Sequence, residues 1–204
     1  MRNMKSIKKN LDELIRGKKA VLLFTGDKWS TLLINIVSDM DVNTIFIDTG
    51  FHFDEIVNYI EKLDDKIEIV YNHVATIDSS VDMIQCCKQR KVEVLKEYLS
   101  NVRAECLIVP FTGEEMESGI EESYLNGIEN IEIIKPLAGL TEREIWIMID
   151  ENKMPFSSIY KRGFKVIDCK CCTTRIGRKR PGEEQRSSDM DKETVEKLKS
   201  LGYM

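Results

Sequence analysis

Five short apolar runs alternate through most of this chain with segments whose apolar residues recur at helical spacing, and that alternation limits the fold most. The runs are AVLLFTG (20–26), NTIFIDTG (43–50), KIEIVYNH (66–73), ECLIVPF (105–111) and IEIIKPL (131–137). The helical segments are MKSIKKNLDELIRG, stopped at Gly17, then WSTLLINIVSDM, FDEIVNYIEKL, SSVDMIQCCKQRKVEVLKEYLSN and TEREIWIMIDENK. The last opens with Thr141 and Glu144 at capping-box spacing and stops ahead of Pro155. Strands and helices in this order predict an α/β fold: a parallel five-stranded sheet with helices on both faces. Residues 1–174 are expected to form it. Residues 175–204, from RIGRKRPGEEQR to the short helix ETVEKLKSLGYM, read as a polar C-terminal arm of the same domain. In such folds ligands bind at the carboxyl ends of the strands.

Thirty Lys and Arg against 35 Asp and Glu leave a net charge of −5, which implies no broad nucleic-acid surface. The N-terminal stretch has no apolar signal core, and no run approaches ~18 apolar residues, so no membrane span is expected and the chain is placed in the cytoplasm. Stable disulfides are rare in that compartment, and six cysteines ask for another use. Cys106 sits inside an apolar run and reads as a small buried hydrophobe. Cys86 and Cys87 stand side by side in a helical segment, and Cys169 and Cys172 stand two residues apart in DCKCCT, with Cys171 as the odd one. Two plus two thiolates satisfy either a 4Fe–4S cluster or a tetrahedral zinc ion. His52 and His73 lack metal-pair spacing and read as ordinary strand-end residues.

The first strand runs into FTGDKWS (24–30), where Gly26 turns the chain and a helix begins near Lys28. A helix N-terminus aims N–H groups and its dipole at one point, and Thr25, Lys28 and Ser30 add donors that suit phosphate oxygens. The spacing is not the Walker pattern, and no G-x-G-x-x-G occurs.

Three stretches in order resemble one family. FTGDKWS is similar to the SGGKDS loop of the adenine-nucleotide α-hydrolase (PP-loop) superfamily, with Thr25, Gly26, Lys28 and Ser30 in matching places. FIDTGFHFDEI resembles the FIDTGxxFPET segment of phosphoadenylyl- and adenylyl-sulfate (PAPS/APS) reductases and of the ATP sulfurylase small subunit, matching Asp48, Thr49 and Gly50. KPLAGLTEREIWIMIDENKMPFSSIYKRGFKVIDCKCCT resembles their PLxxWTxxDVWxYI…GCxxCT stretch, and PGEEQR, with Arg186, resembles GEDxR. CCKQRKVEVLKEYL is similar to the CCxxRKVxPLxxxL helix of the iron–sulfur adenylyl-sulfate reductases. The resemblance implies a 4Fe–4S cluster on Cys86, Cys87, Cys169 and Cys172, and an adenine nucleotide held by the residues matched above, Arg186 included. It also implies a sulfonucleotide substrate in sulfur assimilation and release of sulfite. A thioredoxin-like donor or a partner subunit is the reductant it implies, and a homodimer is compatible with it.

The chain departs from that pattern at three places. Asp27 and Trp29 replace a Gly and an Asp of the loop, and Asp27 puts a carboxylate where phosphate should approach. Glu114, Glu115 and Met116 stand where the family carries arginines, the residues that suit sulfate and phosphate. The family ends on a segment like ECGLH, whose cysteine attacks the substrate sulfur, whereas SLGYM puts Leu201 in that place. Three functions are compatible with these residues: a sulfonucleotide reductase using another thiol, such as Cys171, or a partner's thiol; an ATP-dependent adenylyl or sulfur transferase; or a non-catalytic iron–sulfur and nucleotide-binding module.

Overall fold

The computed structural model describes residues 3–63, 66–72, 83–112, 125, 127–170, 173–174 and 177–178. Cys171, Cys172, His73, Glu114–Ser118, Arg186 and the closing helix lie outside them. The elements are α1 (Met4–Ile15), β1 (Ala20–Leu23), α2 (Lys28–Ile36), β2 (Val42–Asp48), α3 (Asp54–Leu63), β3 (Glu68–Tyr71), α4 (Met83–Cys87), a π-helical turn (Lys88–Val92), α5 (Glu93–Val102), β4 (Cys106–Ile108), β5 (Glu132–Ile134) and α6 (Glu142–Glu151). A 3-10 turn spans Ser158–Arg162, and two-residue strands β6 (Thr173–Thr174) and β7 (Gly177–Arg178) pair antiparallel.

All five expected strands form, in the order β3-β2-β1-β4-β5, every pair parallel. Their side chains alternate between two cores, as the strand period of two requires. Ala20, Leu22, Phe24, Phe46, Cys106, Ile108 and Ile134 pack with α1, α2, α3 and α6 on one face. Val21, Ile45, Ile47, Leu107 and Val109 pack with Leu95, Tyr98 and Leu99 of α5 on the other. The central strands β1 and β4 are buried on both faces and so read as continuously apolar, whereas the edge strand β3 is largely exposed and its run carries Lys66 and Glu68. Cys106 is fully buried in the first core, as its setting suggested.

Local signals place the helix ends. Asn3 and Ser6 form a capping box at α1, and Thr141 and Glu144 form the expected one at α6. The segment expected to be one long helix through the cysteine pair is instead interrupted by the π-helical turn at Lys88–Val92. Such a turn inserts one residue and rotates the side chains after it to new directions. Here both Arg90 and Val92 are buried within it. Among the described residues no helix is long and apolar enough to cross a membrane.

Leu107, fully buried on the central strand pair, tests the second core. Leu107→Ala should lower unfolding stability by about 2–5 kcal/mol in urea titrations, through lost burial and the cavity left behind.

Candidate active site

The sheet order reverses at β1, whose neighbours are β2 on one side and β4 on the other. A pocket opens at the carboxyl ends of these three strands. Phe24 and Thr25 leave β1 into it, Phe46 and Ile47 come from β2, Phe111 follows β4, and Ile167 closes it. The walls are mainly apolar, and Thr25, His52, Lys91 and Asp168 are its polar groups. Apolar walls with a few converging polar atoms are the usual character of a small-molecule site.

The cysteine segments meet at one edge of this pocket. Cys86 and Cys87 are half-buried at the end of α4, one turn ahead of Arg90 and Lys91. The Lys91 ammonium forms an ion pair with Asp168, whose Oδ1 also accepts the N–H of Cys169 at 2.9 Å. Arg90 is buried, donates from Nη1 to the Thr49 carbonyl at 3.0 Å and stacks on Phe51, 4.7 Å from the ring centre. Thr49 Oγ1 in turn lies 3.2 Å from the buried Cys169 Sγ. The loop after Asp168 closes on itself, with Asp168 N donating to Thr173 Oγ1 at 2.8 Å and Thr173 N donating to the Cys169 carbonyl at 3.1 Å.

Among the described residues no three His, Cys, Asp or Glu side chains converge closely enough to hold a metal ion. Cys172 lies outside them. The donor chemistry still suits a thiolate-bound metal. Three of the four expected ligands sit on two segments bonded to each other, and Arg90 Nε is buried with no hydrogen-bond partner among the described residues.

Residues expected to bind nucleotide fall into two groups. Thr25 lines the pocket, and Asp48, Thr49 and Gly50 form the turn after β2, where Gly50 N donates to Asp48 Oδ1 at 2.8 Å. Gly26 takes φ +78 with Ile56 so close that a Cβ would stand 2.7 Å from its Cγ2, so only glycine fits. Lys28 and Ser30 lie elsewhere, beneath a strap formed by residues 155–168. The Lys28 side chain is about 1% exposed and its ammonium donates to the Lys165 carbonyl at 2.5 Å and pairs with Glu142 at 2.9 Å. The rings of Trp29, Tyr160 and Trp146 surround it at 4.0, 5.3 and 5.8 Å. Burying an ammonium costs several kcal/mol unless partners replace its water, and these contacts supply them.

Asp27 caps α2, its Oδ1 accepting the Ser30 N–H at 2.7 Å. Burial pushes its carboxyl above the ordinary carboxylate value, although the Ser30 N–H and the neighbouring Lys28 charge act the other way. Burial, and then the Asp27 charge, raise Tyr160 well above the usual phenol value. Two of the pocket's polar residues, His52 and Asp168, gave no functional signal in the sequence, while Lys91 stood out beside the cysteine pair as a charge suited to offset a cluster. His52, expected to be an ordinary strand-end residue, packs on Phe46 at 4.6 Å with burial, and then the Lys91 charge, lowering its pKa. Lys91 and Asp168 carried no signal of facing the same space.

The fold defines an α/β protein with a doubly wound parallel sheet and a pocket at its switch point. Residues 19–175 match the phosphoadenosine phosphosulfate reductase domain family, and the chain belongs to it. It is 26% identical over 194 residues to the adenosine 5′-phosphosulfate reductase of Lysinibacillus sphaericus (strain C3-41), covering 80% of this chain and 82% of the relative. It is 27% identical over 161 residues to the protein of the same name from Geobacillus sp. (strain WCH70), covering 70% and 68%. In fold it is similar to phosphoadenylyl-sulfate reductase from Candida auris, solved as a phosphate complex, with TM-score 0.64, 16% identity and 84% and 96% of the two chains covered. It also resembles NH3-dependent NAD synthetase from Campylobacter jejuni, with TM-score 0.53, 10% identity and 97% and 90% covered.

The raised carboxyl of Asp27 has a pH signature. Its contribution to stability is full below the ordinary carboxylate value of about 4 and is lost as pH rises through the raised folded value. Asn keeps the cap without the charge. Thermal melts should therefore show Asp27→Asn gaining on the wild-type protein as pH rises from about 4 to 7. A variant that loses ground over that range would show the ionised carboxylate to be net stabilising.

Proposed function

We propose that this chain is a sulfonucleotide reductase that takes adenosine 5′-phosphosulfate, the substrate in the names of its relatives, and releases sulfite and AMP. The supporting observation is the joining of the cysteine-pair helix to the Cys169 loop at the pocket edge, directly through Lys91–Asp168 and by way of Thr49, which meets Arg90 at its carbonyl and Cys169 at its hydroxyl. In this reading Cys86, Cys87, Cys169 and Cys172 hold a 4Fe–4S cluster, with Arg90 and Lys91 offsetting its negative charge. When bound, the cluster supplies a strong local field beside the substrate. The adenosine lies in the apolar pocket against Thr25 and the turn Asp48–Gly50, and Arg186 is the residue assigned to the anionic end. A cytoplasmic setting and a thioredoxin-like dithiol donor belong to the same reading.

Leu201 cannot act as the nucleophile, so the thiol assigned to that step is Cys171. Its thiolate attacks the sulfate sulfur, the S–O bond to the phosphoryl group breaks, and AMP leaves with the electron pair. A donor thiolate then attacks Cys171 Sγ, sulfite departs, and the donor's second thiol resolves the mixed disulfide. The dithiol supplies both electrons and ends as a disulfide.

Protein purified anaerobically should be brown and carry about four irons per chain. It should release sulfite from adenosine 5′-phosphosulfate when a dithiol reductant is present. Cys171→Ser should abolish sulfite release and keep the iron. Colourless protein with one zinc would overturn the cluster, and pyrophosphate release from ATP would reassign the chain to adenylyl transfer.

A further inference from the structure

The loop that opens α2 has the outline of a phosphate site, yet its Lys28 and Ser30 donors are already used inside the fold, and the buried Thr25 hydroxyl is left without a partner among the described residues. A helix N-terminus attracts an anion because its first N–H groups lack partners and its dipole is positive there. In this chain the Lys28 N–H donates to the Tyr160 hydroxyl oxygen at 2.7 Å and the Ser30 N–H donates to Asp27 Oδ1 at 2.7 Å. Ser30 Oγ donates to the Asp27 carbonyl at 3.1 Å. The Lys28 ammonium is spent on Glu142 and the Lys165 carbonyl. Asp27 itself is 4% exposed, and its carboxyl group takes the place at the helix end where an external anion would sit.

The cover over the loop is built as firmly as the loop. Tyr59 donates to the Pro155 carbonyl at 2.9 Å and stands 3.0 Å from Thr31 Oγ1, while Ser157 Oγ donates to the Glu55 carbonyl at 3.1 Å. A polyphosphate reaching the start of α2 would meet a carboxylate, occupied donors and this strap. The pocket beside it stays open and apolar, with Thr25 on its wall.

We infer that Asp27 is a built-in anion occupying the phosphate position of the loop, so that the pocket accepts nucleotides with a single phosphoryl group, including its sulfate anhydride, and refuses a pyrophosphate chain. This rests on the nucleotide reading of the pocket, but the role of Asp27 can be tested apart from it with inorganic pyrophosphate as the probe.

Calorimetric titration of the full chain with inorganic pyrophosphate should show no binding for the wild type. Asp27→Asn, which removes the charge and keeps the cap, should gain weak binding, and Asp27→Gly, which also releases the Ser30 N–H, should gain more. In the wild type AMP should bind at least about tenfold more tightly than ATP, a gap of about 1.4 kcal/mol, and Asp27→Asn should narrow that ratio. Pyrophosphate bound by the wild type would overturn the inference. So would a folded Asp27→Asn with neither pyrophosphate binding nor a changed ratio. If AMP fails to bind while the variants gain pyrophosphate, the role of Asp27 stands and the nucleotide pocket falls.

Discussion

The ion pair between Lys91 and Asp168 joins two stretches of chain that the sequence keeps far apart, and the candidate site depends on it. Lys91 is carried by the turn just after the cysteine pair, while Asp168 immediately precedes Cys169 and binds its N–H. The pair is mostly buried, with side chains 17% and 5% exposed, so screening by solvent is limited.

Much of the architecture could be read from residue order alone. Runs such as ECLIVPF are apolar on both sides because both faces of the sheet are covered, and that pattern survives without any tertiary knowledge. The capping residues Thr141 and Glu144 act within one turn and were equally legible. The site was less so. The cysteine spacing and the FIDTG turn marked segments that the fold brings side by side, but the fate of Lys28 was hidden. Its partners, Glu142 and Lys165, are remote in sequence, and nothing near Lys28 tells that they would reach it before a ligand could. The π-helical turn at Lys88–Val92 was invisible for a related reason: KQRKV fits an ordinary helix by composition, and the burial of Arg90 against Phe51 is a tertiary effect.

The loop at Asp27 separates two properties that family patterns tend to merge. Its backbone turn rests on packing, with Gly26 in the left-handed conformation pressed against Ile56. Its charge rests on single residues: Asp27 places a carboxyl group at the helix start, and the Lys28 ammonium lies in a cage of aromatic rings. Shape here is maintained by packing, while electrostatics is free to change with single residues.

The strap of residues 155–168 has a mechanical consequence. It is pinned at Pro155 by Tyr59, at Tyr160 and Lys165 by Lys28, and at Asp168 by Lys91. Four anchors within fourteen residues therefore tie α3, the start of α2 and the turn that carries Cys169 to one short piece of chain.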